Sequence, residues 1–179
     1  MQRIYDLIAT RQRQVLAVVV CYGRERRFDC EVETLMRKLR ILVADDHGDM
    51  RWAAIRLLSD EFSVVGAAAD GRNLVDAAIS LLPDVIVSDV SMPLLTGPEA
   101  LEVLKATGLD IPFVFVSADV DRVEECVEAG GMGFVYKIDM GCELTLAVGA
   151  ANRREVYLSR GALGVGGVNC RTGVVSRVA

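Results

Sequence analysis

The chain has few of the sequence features, such as histidines, paired cysteines and long apolar runs, that zinc-binding, secreted or membrane-spanning proteins depend on. It has one histidine, His47, in 179 residues, and none of its five cysteines forms a Cys-x-x-Cys pair. These absences argue against a structural zinc site. No apolar run approaches the about 18 residues that cross a bilayer, and Val15–Tyr22 is followed by arginines instead of a small-x-small cleavage site. The odd number and even scatter of the cysteines suit reduced thiols, so we expect a cytoplasmic protein.

Charge is distributed unevenly along the chain. Residues 1–40 carry nine lysines and arginines against five acids, and residues 159–179 carry three arginines and no acid. The 118 residues between them carry eight bases and twenty acids. Because phosphate repels so acidic a body, we expect no direct binding of nucleic acid by it, whereas a divalent cation suits it. We expect the basic ends to be solvated tails.

Short apolar runs alternate with helical stripes between residues 40 and 156. Five runs are typical of buried strands, namely Arg40–Ala44, Ser63–Ala69, Val85–Ser88, Ile111–Ser117 and Gly133–Lys137. Apolar residues at helical spacing follow each run, and the last stripe predicts a helix from Leu144 to about Val156. This alternation predicts a doubly wound α/β fold, with a parallel five-stranded sheet covered by helices on both faces.

Polar side chains stand at the ends of four predicted strands. They are Asp45, Asp46, Asp89, Ser117 and Lys137. Functional groups of such sheets collect at the carboxyl ends of the strands, so we expect these side chains to crowd one rim. Carboxylates in contact repel and raise one another's pKa, and a hard divalent cation offsets that repulsion. An all-oxygen donor set favours Mg²⁺, and Lys137 adds a second positive charge.

Four motifs, in this order, resemble the response-regulator receiver domain of two-component signalling. They are ILVADDH at 41–47, VIVSDVSMPLLTG at 85–97, VFVSA at 114–118 and GFVYK at 133–137. The resemblance covers residues 39–158 and implies a flavodoxin-like (βα)5 fold with strand order 2-1-3-4-5. We therefore expect a receiver domain at 38–158, an extension at 1–37 and a flexible tail at 159–179.

The extension has no place in the receiver pattern. Met36 begins MRKLRILVADDH, the usual start of such domains, and we expect translation to begin there. The alternative is a genuine short helix containing Val15–Val20, whose apolar stripe would need a partner.

The resemblance implies a role for each residue at the rim. Asp89 would accept a phosphoryl group from the histidine of a kinase. Asp46 and Asp89 would bind Mg²⁺ directly, Asp45 would bind it through water, and Ser91 would bind it through its backbone carbonyl. Lys137 would pair with a phosphoryl oxygen. These roles agree with the positioning and charge neutralisation that phosphoryl transfer requires.

Two residues are implied to form the switch. Ser117 would hydrogen-bond a phosphoryl oxygen, and Phe134 would swing inward as Ser117 moves, unless Phe134 is an ordinary core aromatic. Many receivers have proline after the lysine of the fifth strand, where this chain has Ile138. This departure, together with REVYLS at 154–159, resembles the LuxR/nitrate-response subfamily, in which a helix-turn-helix domain comes next. Only twenty residues follow Ser159, and we expect no such domain in them.

The leading hypothesis is a bacterial receiver in phosphorelay signal transduction. It would catalyse its own phosphorylation and hydrolysis but would not otherwise be an enzyme. Its partners would be a sensor histidine kinase or phosphotransfer protein and, through the face of the fourth helix, fifth strand and fifth helix, an effector or a second copy. The main alternative is a LuxR-type transcriptional regulator that is truncated or binds DNA through a partner. A phosphohydrolase, which would need an acid at Ser91, and an unphosphorylated scaffold are the remaining alternatives.

Overall fold

The computed structural model describes residues 17–19, 32–34, 37–163 and 174–177. The chain divides into two units, residues 1–38 and residues 39–179. In the first unit, β1 (Ala17–Val19) and β2 (Val32–Thr34) form an antiparallel pair. The alternative of a helix is therefore wrong over residues 17–19, where valines favour an extended chain because their branched side chains are restricted in a helix.

The second unit alternates strands and helices. Its strands are β3 (Arg40–Ala44), β4 (Ser63–Ala68), β5 (Val85–Asp89), β6 (Phe113–Ser117), β7 (Gly133–Tyr136), β8 (Glu155–Leu158) and β9 (Val174–Arg177). Its helices are α1 (Gly48–Ser59), α2 (Gly71–Leu81), α3 (Gly97–Ala106), α4 (Val123–Glu128) and α5 (Met140–Asn152), with 3-10 turns at Val120–Arg122, Lys137–Asp139 and Gly161–Leu163. Over the described ranges, no helix has both the length and the apolar character that a bilayer span requires.

The sheet has the order β4-β3-β5-β6-β7-β8-β9. Strands β4, β3, β5, β6 and β7 are parallel and reproduce the predicted order 2-1-3-4-5. Successive residues of a strand point to opposite faces, so Ile41 and Val43 join a core under α1 and α5, whereas Leu42 and Ala44 join a core under α2 and α3. The two cores confirm the doubly wound architecture.

The segment after α5 differs from the prediction. The apolar stripe predicts a helix running to about Val156, but α5 ends at Asn152 and Arg154 adopts a positive φ of 61°. The chain then forms β8, parallel to β7. The reason is the free edge of β7, whose backbone groups need partners. Ser159 N, directly after β8, donates to Phe134 O of β7 at 2.9 Å and supplies one of them.

A further strand lies in the segment that is expected to be a flexible tail. β9 (Val174–Arg177) is antiparallel to β8, with Glu155 opposite Arg177 and Leu158 opposite Val174. The sheet therefore extends two strands beyond the five that the sequence predicts.

The cysteines also differ from the expectation of reduced thiols. Cys142 is disulfide-bonded. The expectation is wrong for Cys142 because even spacing along a chain says nothing about proximity in the fold. Cys126 is free and lies in the core, where burial raises the pKa of its thiol to about 12.

A close approach between α3 and β5 fixes the position of the loop that follows β5, the third predicted strand. A Cβ atom added to Gly97 would lie 2.5 Å from the backbone oxygen of Asp89, so only glycine fits at the start of α3. Thr96 caps this helix by accepting a hydrogen bond from Glu99 N, and the Glu99 side chain accepts one from Thr96 N in return. The loop from Asp89 to Thr96 is therefore anchored at both ends.

Candidate functional site

The predicted polar residues gather at the carboxyl end of the sheet. Asp45 directly follows β3, Asp89 ends β5, Ser117 ends β6 and Lys137 directly follows β7. Asp45, Asp89 and Ser117 are each at most 6% exposed. The strands are in parallel register, which brings their ends to one level and these side chains to one rim.

Lys137 lies between two of the carboxylates. Its Nζ is 3.1 Å from Asp45 Oδ2 and 3.3 Å from Asp89 Oδ1. Burial raises the pKa of Asp89, and the negative charge of Asp45 adds to this effect, although Lys137 opposes it. Burial would lower the pKa of Lys137, but the charges of Asp89 and Asp45 outweigh it and raise that pKa. The ammonium is therefore held in its charged form beside a carboxylate whose charge is only partly offset.

Asp46 and His47 complete the cluster on its more exposed side. His47 Nδ1 lies 2.7 Å from Asp46 Oδ1 and 3.7 Å from Asp45 Oδ1. One potential ligand atom from each of Asp45, Asp46, His47 and Asp89 lies within 4.8 Å of the others. Three carboxylates, of which two contact the single ammonium, provide the oxygen-rich, negatively charged donor set that Mg²⁺ prefers. The residues present therefore fit a divalent cation.

Backbone contacts fix Asp45. Its Oδ1 accepts a hydrogen bond from His47 N at 2.8 Å, and its backbone oxygen accepts one from the guanidinium of Arg51. Arg51 lies on α1, and no sequence motif predicts this contact. The contact orders the turn between β3 and α1, which carries two of the three clustered carboxylates.

The two predicted switch residues, Ser117 and Phe134, lie on the neighbouring parallel strands β6 and β7. Ser117 Oγ accepts a hydrogen bond from Asp119 N at 3.0 Å, within its own loop. Phe134 is 1% exposed and packs in the core with Leu158 and Ala162, which follow α5. The ring already lies inward in this structure, because the added strand β8 and the turn after it cover that edge of β7.

One arginine at the site is not predicted from the sequence. Arg122 Nη1 donates a hydrogen bond to Ser91 Oγ at 3.0 Å. These residues are polar, exposed or partly exposed, and 31 positions apart, so no periodicity or motif connects them. Only the pairing of β5 with β6 brings their loops together.

Comparison with known proteins agrees with this geometry. The family model of the response regulator receiver domain matches residues 41–148. This chain belongs to that family. Among solved structures, the response regulator domain of Thermotoga maritima CheB has a TM-score of 0.61 and 29% identity, over 65% of this chain and 98% of that domain. A LuxR-family response regulator from Aurantimonas sp. SI85-9A1 has a TM-score of 0.60 and 26% identity, over 65% of this chain and 86% of that one.

Curated relatives that share this receiver domain include both regulators and enzymes. The transcriptional regulatory protein LiaR of Bacillus subtilis is 32% identical over 124 residues, which are 67% of this chain and 59% of LiaR. A protein-glutamate methylesterase/protein-glutamine glutaminase of Clostridium acetobutylicum is 31% identical over 116 residues, 62% of this chain and 34% of the relative. The chain spans less than two thirds of the length of the curated relatives it matches.

Replacing Asp89 by asparagine should stabilise the fold when no divalent cation is present. Because burial raises the pKa of Asp89, the charged carboxylate is less stable in the folded chain than in the unfolded chain. The resulting destabilisation is complete above the raised pKa and disappears as pH falls toward the ordinary value of 3.8. We therefore expect Asp89→Asn to melt above the wild type at neutral pH, with a difference that narrows on acidification, as followed by circular dichroism.

Asp76→Asn is the matched control for this comparison. Asp76 lies on α2 with 60% of its side chain exposed, so the same chemical change should leave the melting temperature unchanged. An Asp89→Asn variant that melts below the wild type at neutral pH would contradict the account of the buried charge.

Proposed function

We propose that this receiver domain takes a phosphoryl group on Asp89 from the phosphohistidine of a kinase or phosphotransfer protein, and that it works as a signalling switch in the bacterial cytoplasm. One observation carries the proposal. The Lys137 ammonium lies 3.1 Å from Asp45 and 3.3 Å from Asp89, at the rim where three carboxylates meet. A nucleophilic carboxylate, a fixed cation and a divalent-cation site are the parts that phosphoryl transfer needs.

Each residue has a part in the transfer. An Asp89 carboxylate oxygen would bond to phosphorus as the P–N bond breaks, and the electron pair of that bond would return to the donor imidazole. Lys137, already 3.3 Å from Asp89 Oδ1, would pair with a phosphoryl oxygen. Ser117 Oγ accepts its hydrogen bond from Asp119 N, which leaves the hydroxyl hydrogen able to turn toward another phosphoryl oxygen.

The same cluster would hold Mg²⁺. Asp46 and Asp89 would supply carboxylate oxygens directly, Asp45 would act through water, and Ser91 would contribute its backbone carbonyl. When bound, the ion supplies positive charge that neutralises the oxygens of the transferring group. His47 contacts Asp46 at 2.7 Å and would orient that carboxylate.

The output surface that we propose includes β8. The turn Lys137–Asp139 carries the lysine of the site, and Asp139 Oδ2 in that turn accepts hydrogen bonds from Ser159 Oγ at 2.9 Å and Gly161 N at 2.8 Å. Ser159 N also donates to Phe134 O, and Ser159 Oγ accepts from Tyr136 N. A change in the position of Lys137 would therefore reach the segment after β8.

The sheet topology also indicates where a partner would bind this surface. We propose that an effector protein or a second copy engages the face of α4, β7 and α5, together with β8. Because relatives such as LiaR are named transcriptional regulators, a role in transcription through a DNA-binding partner is the second candidate. The acidic body opposes direct contact with nucleic acid.

Acetyl phosphate with Mg²⁺ should add one phosphoryl group to the wild-type chain. This small acyl phosphate supplies the transferable group without the kinase, so the experiment isolates the chemistry of the receiver. We expect no gain in Asp89→Asn, and a gain equal to that of the wild type in Asp76→Asn, as read by intact-protein mass spectrometry. No gain in folded wild-type protein, or an equal gain in Asp89→Asn, would contradict the proposal.

Phosphorylation should loosen the attachment of β8. If Lys137 moves toward the phosphoryl group, the hydrogen bonds that Ser159 and Gly161 donate to Asp139 weaken, and we expect faster hydrogen exchange of the Tyr157 and Ser159 amides. Hydrogen exchange of the wild type held in acetyl phosphate, compared with Asp89→Asn treated identically, checks this. Exchange in β4, at the opposite edge of the sheet, should be unchanged. Equal exchange of the β8 amides in both proteins would contradict the proposal that β8 is part of the output surface.

A further inference from the structure

His47 occupies a fixed position beside the carboxylate cluster. Its backbone N–H donates a hydrogen bond to Asp45 Oδ1 at 2.8 Å, and its backbone oxygen accepts one at 2.9 Å from Arg51 N in the first turn of α1. His47 is the N-cap residue of α1, but its side chain makes no capping hydrogen bond. The turn between β3 and α1 therefore places the imidazole, and the start of the helix does not depend on that ring.

The ring nitrogen Nδ1 lies against the carboxylates. It is 2.7 Å from Asp46 Oδ1 and 3.7 Å from Asp45 Oδ1. Two atoms that bind one zinc ion at about 2.1 Å each are at most about 4.2 Å apart, and both distances are shorter than this limit. An oxygen of Asp89 belongs to the same cluster, in which all potential ligand atoms lie within 4.8 Å of one another. The geometry therefore accommodates one ion between the imidazole and the carboxylates.

The imidazole gives the cluster a ligand that Mg²⁺ does not favour. Mg²⁺ takes oxygen ligands and keeps several waters, whereas imidazole nitrogen suits ions such as Zn²⁺ and Ni²⁺. Nδ1 can bind a metal when the ring proton is on Nε2, and the His47 side chain, 71% exposed, can direct Nε2–H to water. Beside Mg²⁺ the ring would orient Asp46 by a hydrogen bond, whereas beside a transition-metal ion it would bind the ion itself.

We propose that His47 is a metal ligand that allows this cation site to take a transition-metal dication of the zinc class in place of Mg²⁺. Asp46 and Asp89 would supply oxygens and His47 Nδ1 would supply nitrogen, so the ion would have three protein ligands and a position for water. The inference rests on the cation site of the proposed function, but it does not require phosphoryl transfer. His47 would then determine which divalent cation the site prefers.

Nitrogen NMR of the imidazole tests this contact directly. His47 is the only histidine of the chain, so protein without a polyhistidine tag gives the resonances of a single ring. We expect Zn²⁺ to move the Nδ1 resonance to the position of a metal-bound nitrogen, with saturation at one ion. Excess Mg²⁺ should reverse the change, because the two ions share Asp46 and Asp89. Bound Zn²⁺ without a change at Nδ1 would overturn the inference, since carboxylates or thiols would then hold the ion without the ring.

His47→Asn separates the two functions of the ring. The amide of asparagine keeps a hydrogen-bond donor beside Asp46 but lacks the imidazole nitrogen. We expect the affinity for Zn²⁺ relative to that for Mg²⁺, measured by calorimetric titration, to fall at least about tenfold. Asp76→Asn, which changes an exposed carboxylate on α2, is the control and should keep the wild-type ratio.

The outcomes distinguish this inference from the proposed function. An unchanged ratio of Zn²⁺ to Mg²⁺ affinity in His47→Asn would overturn the role of His47 and leave the proposed function intact. Zn²⁺ bound through Nδ1 in a protein that acetyl phosphate does not modify would support the inference and contradict the proposed function. A folded wild type that binds neither Mg²⁺ nor Zn²⁺ would overturn both.

Discussion

The repulsion among three carboxylates at one rim is the constraint on which the rest of this receiver depends. Asp45, Asp46 and Asp89 meet there because β3 and β5 are adjacent parallel strands, and their apolar residues fix the register by filling two cores. One ammonium, from Lys137, offsets part of the charge. The negative charge that remains would favour a bound divalent cation at the end of β5, which is the condition that the proposed phosphoryl transfer requires.

The electrostatics of the site also connect it to the far edge of the sheet. Lys137 belongs to the turn Lys137–Asp139, and Asp139 in the same turn accepts hydrogen bonds from Ser159 and Gly161. The residue that contacts Asp89 therefore lies two positions from the side chain that accepts hydrogen bonds from the segment after β8. Phe134 lies in the core against which Leu158 packs, so the proposed movement of its ring and the proposed loosening of β8 would be parts of one rearrangement.

The sequence predicted the five central strands, their order and the residues at their ends because these depend on local patterns. Buried parallel strands are continuous apolar runs, and the parallel topology dictates where their ends meet. It did not predict β8, since Val156 and Tyr157 come after an apolar helical stripe and the need of β7 for an edge partner is not local. Nor did it predict the bond between Arg122 and Ser91, which joins polar residues from distant segments and leaves no periodic trace.

Calorimetric titration with Mg²⁺ tests the central claim most directly, because it measures cation binding at the carboxylate cluster without any phosphoryl donor. The wild-type chain should bind one Mg²⁺, and Asp76→Asn should bind it equally well. Asp46→Asn removes a carboxylate with 28% exposure at the cluster, and it should bind at least about tenfold more weakly. Equal binding by Asp46→Asn and the wild type, or no binding by the folded wild type, would contradict the claim that the three carboxylates form the cation site.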